Sequence, residues 1–262
     1  MRSEEQQREQ VAAFDEKFGH GSRSLVTSED PVVRYLTRWR VETAWRRLAA
    51  RCDLGSQPSV LFLCAGDAGE ATTLADLGVQ DITVTDNSPA AVRAALAADS
   101  RLTGFTCNAL SNDLPSQSYD VVIVQDGLHH LPEPVRGFTE MLRIAAKAAF
   151  FLEGANSAAG RLFGRRWEQE GAHENFVFRW DFDLVEQVSC AYLGRGAFRN
   201  ETFSFWHHNV HLDRLARRLG PSSRALGVVK ALKTTADTVA PRGGNQICGM
   251  VIKEHPQPSH GG

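Results

Sequence analysis

The sequence is poor in several things, and each shortage excludes something. Only five of its 29 basic residues are lysine, and the net charge is −2 with a pI near 6.5. No global positive field is present to hold a nucleic-acid backbone or an anionic membrane. No apolar run is long enough to span a bilayer. The first ten residues are polar and lack an apolar h-region, so no secretory signal is expected and the cytoplasm is the expected location. The five cysteines (Cys52, Cys64, Cys107, Cys190, Cys248) are an odd number without C-x-x-C spacing. That argues against a disulfide framework and a structural zinc, and suits a reducing compartment. The dinucleotide fingerprint G-x-G-x-x-G is also absent, which counts against a nicotinamide dehydrogenase. What is there is a chain of 262 residues, 42% hydrophobic and 23% charged, enough for one large α/β domain.

The N-terminal stretch places Phe14 and Phe18 on a short amphipathic helix. Asp30-Pro31 then reads as an N-cap with proline at the first helical position. The helix it opens carries Val32, Leu36 and Trp39 on one face and Val41, Trp45 and Leu48 on nearly the opposite one, so both sides are expected to be covered, one of them by a ligand or another element. From Ser59 short apolar runs alternate with helical stretches. Strands are predicted at 60–64, 82–85, 104–107, 120–125 and 148–153, and helices at 69–77, 89–97 and 134–145, with Gly78 as a stop. This alternation implies a mainly parallel sheet with helices on both faces. Asp183 and Glu186 have capping-box spacing for a further helix. Phe198–Trp206 alternates like one strand, 209–238 reads as one or two helices, and Gln246–Ile252 as a final strand after the turn Pro241–Gly244.

Four stretches carry chemistry. In Val60-Leu61-Phe62-Leu63-Cys64-Ala65-Gly66-Asp67-Ala68-Gly69-Glu70 a buried strand runs through small residues into a helix. Such a turn lets a ligand approach the backbone and offers free N–H donors at the helix start. Asp86 ends the second strand, where an acid can accept both hydroxyls of a ribose. Cys107-Asn108-Ala109 ends the third strand. Tyr119-Asp120-Val121-Val122-Ile123-Val124-Gln125-Asp126-Gly127-Leu128-His129-His130-Leu131-Pro132-Glu133-Pro134 spans the fourth and its following loop.

In order and spacing these four stretches resemble the class I S-adenosylmethionine-dependent methyltransferase family of small-molecule type, over residues 55–155. The resemblance implies a Rossmann-like, doubly wound α/β fold. Its mostly parallel seven-stranded sheet would have helices on both faces, an antiparallel last strand and a small helical or loop cap. It implies S-adenosyl-L-methionine as cofactor, with S-adenosyl-L-homocysteine as product. By position, Cys64, Ala65, Gly66 and Asp67 would wrap the methionine and ribose part. Asp86 would hold the ribose hydroxyls, with Asn87 under the adenine. Asn108 and Ala109 would contact the adenine amino group, and Gln125, Asp126, Gly127 and His130 would lie beneath the sulfonium. The chain departs from the family where Phe62 replaces the usual acid of strand one, where Cys64 replaces a glycine, and where Ala68 stands at the third glycine.

The implied domain plan has helices of 1–52 forming part of the cap, a core of 53–155 and 181–254, cap or acceptor-binding insertions at 156–180 and 207–240, and a flexible tail at 255–262. The acceptor is expected to be a small, partly apolar metabolite, methylated at O, N or C in a tailoring step of bacterial secondary metabolism. Trp167, Phe176, Phe178, Trp180 and Trp206 supply aromatic cap surface. If the acceptor is a hydroxyl, His129, His130, His207 or His208 can serve as general base. His207 and His211 have helical spacing without the acid of a zinc motif, so no metal is expected. Arg161, Arg165 and Arg166 read as a solvated face, with an anion site for a phosphorylated or carboxylated acceptor as the alternative. The alternatives are a cyclisation or another non-methylating reaction on the same fold, and a non-catalytic scaffold. No nucleic-acid or membrane partner is expected, and self-association is left open.

Overall fold

In the computed structural model, the described residues are 29–157, 178–207 and 223–254, the pairs 169–170 and 175–176, and residues 8, 11–13, 15–16 and 18 of an N-terminal helix. Phe14, Trp167, His173, His208, His211 and the three arginines at 161–166 lie outside them, as does the tail beyond residue 254. Chain order is α1 (Pro31–Ala49), β1 (Ser59–Phe62), α2 (Gly69–Asp76), β2 (Asp81–Asp86), α3 (Pro89–Ala98), β3 (Thr103–Thr106) and β4 (Tyr119–Gln125). A 3-10 turn (Leu128–His130) leads into α4 (Pro134–Ile144) and β5 (Ala145–Gly154). After the two-residue strands β6 (Gln169–Glu170) and β7 (Asn175–Phe176) come α5 (Phe182–Leu193), β8 (Phe198–Asn200), β9 (Phe203–Phe205), α6 (Ser223–Val239) and β10 (Gln246–Lys253).

The main sheet runs β3-β2-β1-β4-β5-β10-β8, with β9 also on β10. β1 to β5 are parallel, and β10 is antiparallel to its neighbours, as the sequence suggests. The eight strands are seven rows, because β8 and β9 continue one register along β10. The ladder breaks at Glu201-Thr202, where the Met250 N–H donates to the Thr202 hydroxyl (3.2 Å) in place of a backbone carbonyl. The single strand read from the alternation at 198–206 is therefore interrupted without a slip.

Period-two burial sorts each central strand onto two cores. Val60, Phe62, Val121, Ile123, Phe150 and Leu152 face a cluster with α1 and α2. Leu61, Leu63, Val122, Val124, Ala149 and Phe151 face one with α4, α5 and the wholly buried Trp180. α1 begins as expected, with Asp30 Oδ1 accepting the Val32 N–H at 2.8 Å. Its second apolar face is covered from within the chain: Val32 and Leu36 pack on Ala225 and Val229 of α6. α5 starts earlier than Asp183 suggests. Its N-cap is Asp181, whose Oδ1 accepts the Leu184 N–H, so Asp183 falls in the first turn.

Candidate cofactor and acceptor site

The C-terminal ends of β1, β2 and β4 converge on one loop. Leaving β1, the chain turns through left-handed backbone at Cys64 (φ 53°), Gly66 (φ 53°) and Ala68 (φ 55°), then enters α2. The N-cap residue Ala68 makes no side-chain cap bond, and Asp67 Oδ1 accepts the Gly69 N–H at 3.3 Å. Left-handed backbone is inexpensive only for glycine. Cys64 and Ala68 thus keep the path of glycines without being glycine, a strain concentrated at the site. Asp126, at the β4 end, adds a fourth positive φ, 47°. A β-carbon on Gly127 would stand 2.6 Å from the Cys64 Cβ, so only glycine lets the two turns touch.

Asp86 ties this loop to β2. Its Oδ2 accepts the Gly66 N–H and its Oδ1 the Ser88 N–H, each at 2.9 Å. Burial raises its pKa, and the N–H bonds oppose that rise. Each carboxylate oxygen retains further lone-pair capacity for hydroxyl donors. Above this junction sits the N-terminal helix. Phe18 is buried on Ala90 and Ala91, with its ring 3.4 Å from where a Gly66 β-carbon would be, and Asp15 accepts the Ser88 hydroxyl and the Ala90 N–H. At the β3 end the Asn108 Oδ1 accepts the Leu110 N–H at 2.9 Å, which fixes the turn carrying Ala109. Cys64 is no thiolate nucleophile, since burial pushes its thiol well up and Asp86 and Glu153 add to that.

Beyond β4, three residues matter that the sequence reading passed over. Glu153, fully buried at the end of β5, accepts the Leu128 N–H (2.7 Å) and lies 2.6 Å from His129 Nδ1. His129 is therefore held by its Nδ1 edge, with the His130 ring 4.2 Å away. Arg40 reaches from α1 to Asp126 (2.6 Å) and to the Gln246 side chain (3.2 Å). Glu70, in the first turn of α2, takes an amide hydrogen of Gln125. Sequence signals existed for two of them. Arg40 sits on the stripe Leu36-Arg40-Ala44-Leu48, all buried, and Glu153 ends the apolar run of β5. Glu70 gave none, because an acid in a first helical turn is ordinary.

At the far edge, His207 is buried and its N–H donates to Asn245 Oδ1 at 2.8 Å. Trp206 is held by Asp237, which accepts its N–H, and by Lys233, which donates to its carbonyl. Lys233 lies 3.3 Å over the Trp39 ring and pairs with Asp237 at 2.8 Å. Among the described residues no group of three or more metal-ligating side chains is gathered.

This loop-and-acid geometry has a parallel among known proteins: residues 62–152 match the family model described as a methyltransferase domain. Over those residues the chain is similar to the class I S-adenosylmethionine-dependent methyltransferases. No curated protein sequence matches it. Solved structures share its fold at low identity. Magnesium protoporphyrin IX methyltransferase from Synechocystis, with bound S-adenosylhomocysteine, is 13% identical with a TM-score of 0.55, covering 88% of this chain and 91% of that one. The (4+2)-cyclase SpnF is 17% identical with a TM-score of 0.55, covering 93% and 92%. A putative methyltransferase from an antibiotic biosynthesis pathway of Anabaena variabilis is 16% identical with a TM-score of 0.54, covering 84% and 98%. The family's cofactor is S-adenosylmethionine, and the residues present fit it. A carboxylate with spare capacity and the buried Oε1 of Gln125, which has no partner among the described residues, are what a polar ligand would complete.

Proposed function

We propose that the protein transfers the methyl group of S-adenosylmethionine to O, N or C of a small, partly apolar metabolite, as a tailoring step of bacterial secondary metabolism in the cytoplasm. The observation that carries this reading is the junction of the 64–69 loop with Asp86, where one carboxylate orders the loop backbone and keeps capacity for two hydroxyls. In this reading Cys64, Ala65, Gly66 and Asp67 border the methionine and ribose. Asp86 and Asn87 take the ribose, Asn108 and Ala109 the adenine edge, and Gln125, Asp126, Gly127 and His130 the sulfonium end. The cofactor supplies an activated methyl, so the protein's work is to align the acceptor and exclude water. His129 is the favoured base among His129, His130, His207 and His208. Glu153 holds it by Nδ1, which orients the ring and supports an imidazolium formed on proton uptake. The segments 156–180 and 207–240, with the N-terminal helices, form the acceptor cap.

The likeness to a cyclase favours one second reading, the same cofactor retained for a non-methylating reaction. Incubation of the protein with methyl-labelled cofactor and extracts of small phenols, amines and enols, read by mass spectrometry, separates the two. A labelled product heavier by one methyl supports transfer. An isomerised, unlabelled product supports the second.

A further inference from the structure

At the β4 end of the cofactor site acidic side chains gather around Glu70 and one guanidinium. Facing Glu70 are Arg40 from α1, Asp67 from the loop, and Gln125 and Asp126 from β4 and its end. Among the described residues, Arg40 is the guanidinium that acts on Glu70 and pairs with Asp126. Two buried polar atoms there have no partner among the described residues: the acceptor Oε1 of Gln125, on the amide that also holds Glu70, and the donor Nε of Arg40, a side chain only 8% exposed. An acid with an orphan acceptor beside it suits an ammonium, and an orphan guanidinium N–H suits a carboxylate. Asp86 marks the ribose end of the site on β2, so the β4 end faces the opposite end of the cofactor, which is an α-amino acid. Phe62 is buried in the apolar core and offers no charge there.

We propose that Glu70 and Gln125 receive the α-ammonium of the cofactor and Arg40 its carboxylate, and that Glu70 gives up a proton to solvent as the cofactor enters. The inference rests on the cofactor assignment and adds to it a proton exchanged on binding. Without ligand, burial raises the Glu70 carboxyl to about 7, with Asp67 and Asp126 adding to the rise and Arg40 opposing it. The free site therefore holds the proton below neutrality, and an entering ammonium displaces it.

The test is calorimetric titration with S-adenosylhomocysteine between pH 6 and 8, in buffers of differing ionisation enthalpy. Affinity should rise about tenfold over that range, with close to one proton released per ligand at pH 6 and almost none at pH 8. Glu70→Gln should abolish both the slope and the proton release. Arg40→Lys should weaken S-adenosylhomocysteine severalfold. 5′-Methylthioadenosine, which lacks the amino acid, should bind the parent and both variants alike, with no slope, and so also reports that the variants are folded. A slope that survives in Glu70→Gln, or one that methylthioadenosine shares, overturns the proposal. If the parent binds neither ligand at any pH, the cofactor assignment itself falls, and the proposal with it.

Discussion

The two edges of this sheet are built in opposite ways. On the β1–β2–β4 side, the site is mostly backbone from one contiguous loop, held by a carboxylate 20 residues away. On the β5–β10 side, side chains join distant parts of the chain: Lys233 and Asp237 of α6 clamp Trp206, and Asn245 accepts the His207 N–H. The first side is ordered by backbone N–H groups on one carboxylate, the second by pairs between side chains far apart in sequence.

That contrast can be broken at Lys233. This lysine is 2% exposed and bonded to Asp237 and the Trp206 carbonyl, over the Trp39 ring. Lys233→Ala leaves a cavity and loses both bonds, and should cost about 3 kcal/mol in denaturant unfolding. Because the cofactor loop is independent of it, affinity for S-adenosylhomocysteine in the folded variant should stay within threefold. A parallel loss of affinity would mean that the two edges are one cooperative unit.

A smaller effect sharpens the picture of the β8–β9 break. Thr202→Val removes the acceptor of the Met250 N–H and should lower stability by about 1 kcal/mol. No change would mean that the break is satisfied by water. The smallest effect is expected at Ala68. Relief of left-handed backbone in Ala68→Gly is worth about 1 kcal/mol, and the buried methyl it deletes about 0.8 kcal/mol. The two should nearly cancel in thermal unfolding, with cofactor affinity unchanged. A loss above about 2 kcal/mol would show that the methyl, rather than the turn, sets that position.

The same division explains what could be read from the sequence. Strands β1 to β5 and helices α2 to α4 follow from local periodicity, proline at helix starts and the stop at Gly78, and their bounds shift by only a few residues in the structure. The loop with Asp86 was legible because its chemistry lies on the backbone, so Cys64 and Ala68 could replace glycines without moving the path. Glu153 with His129, and Arg40 with Asp126, were not legible, because neither pair is recorded in local spacing. The second apolar face of α1 was visible as a pattern, but its cover could not be named until α6 was seen to lie on it.

The central claim is that Asp86 and the loop it orders form the cofactor site. The direct measurement is calorimetric titration of S-adenosylmethionine into the parent and into Asp86→Ala, with the fold of each checked by circular dichroism. The account predicts one site per chain in the parent and affinity at least tenfold weaker in the variant, about 1.4 kcal/mol. Equal affinities in two folded proteins, or no binding by the parent at millimolar ligand, would contradict it.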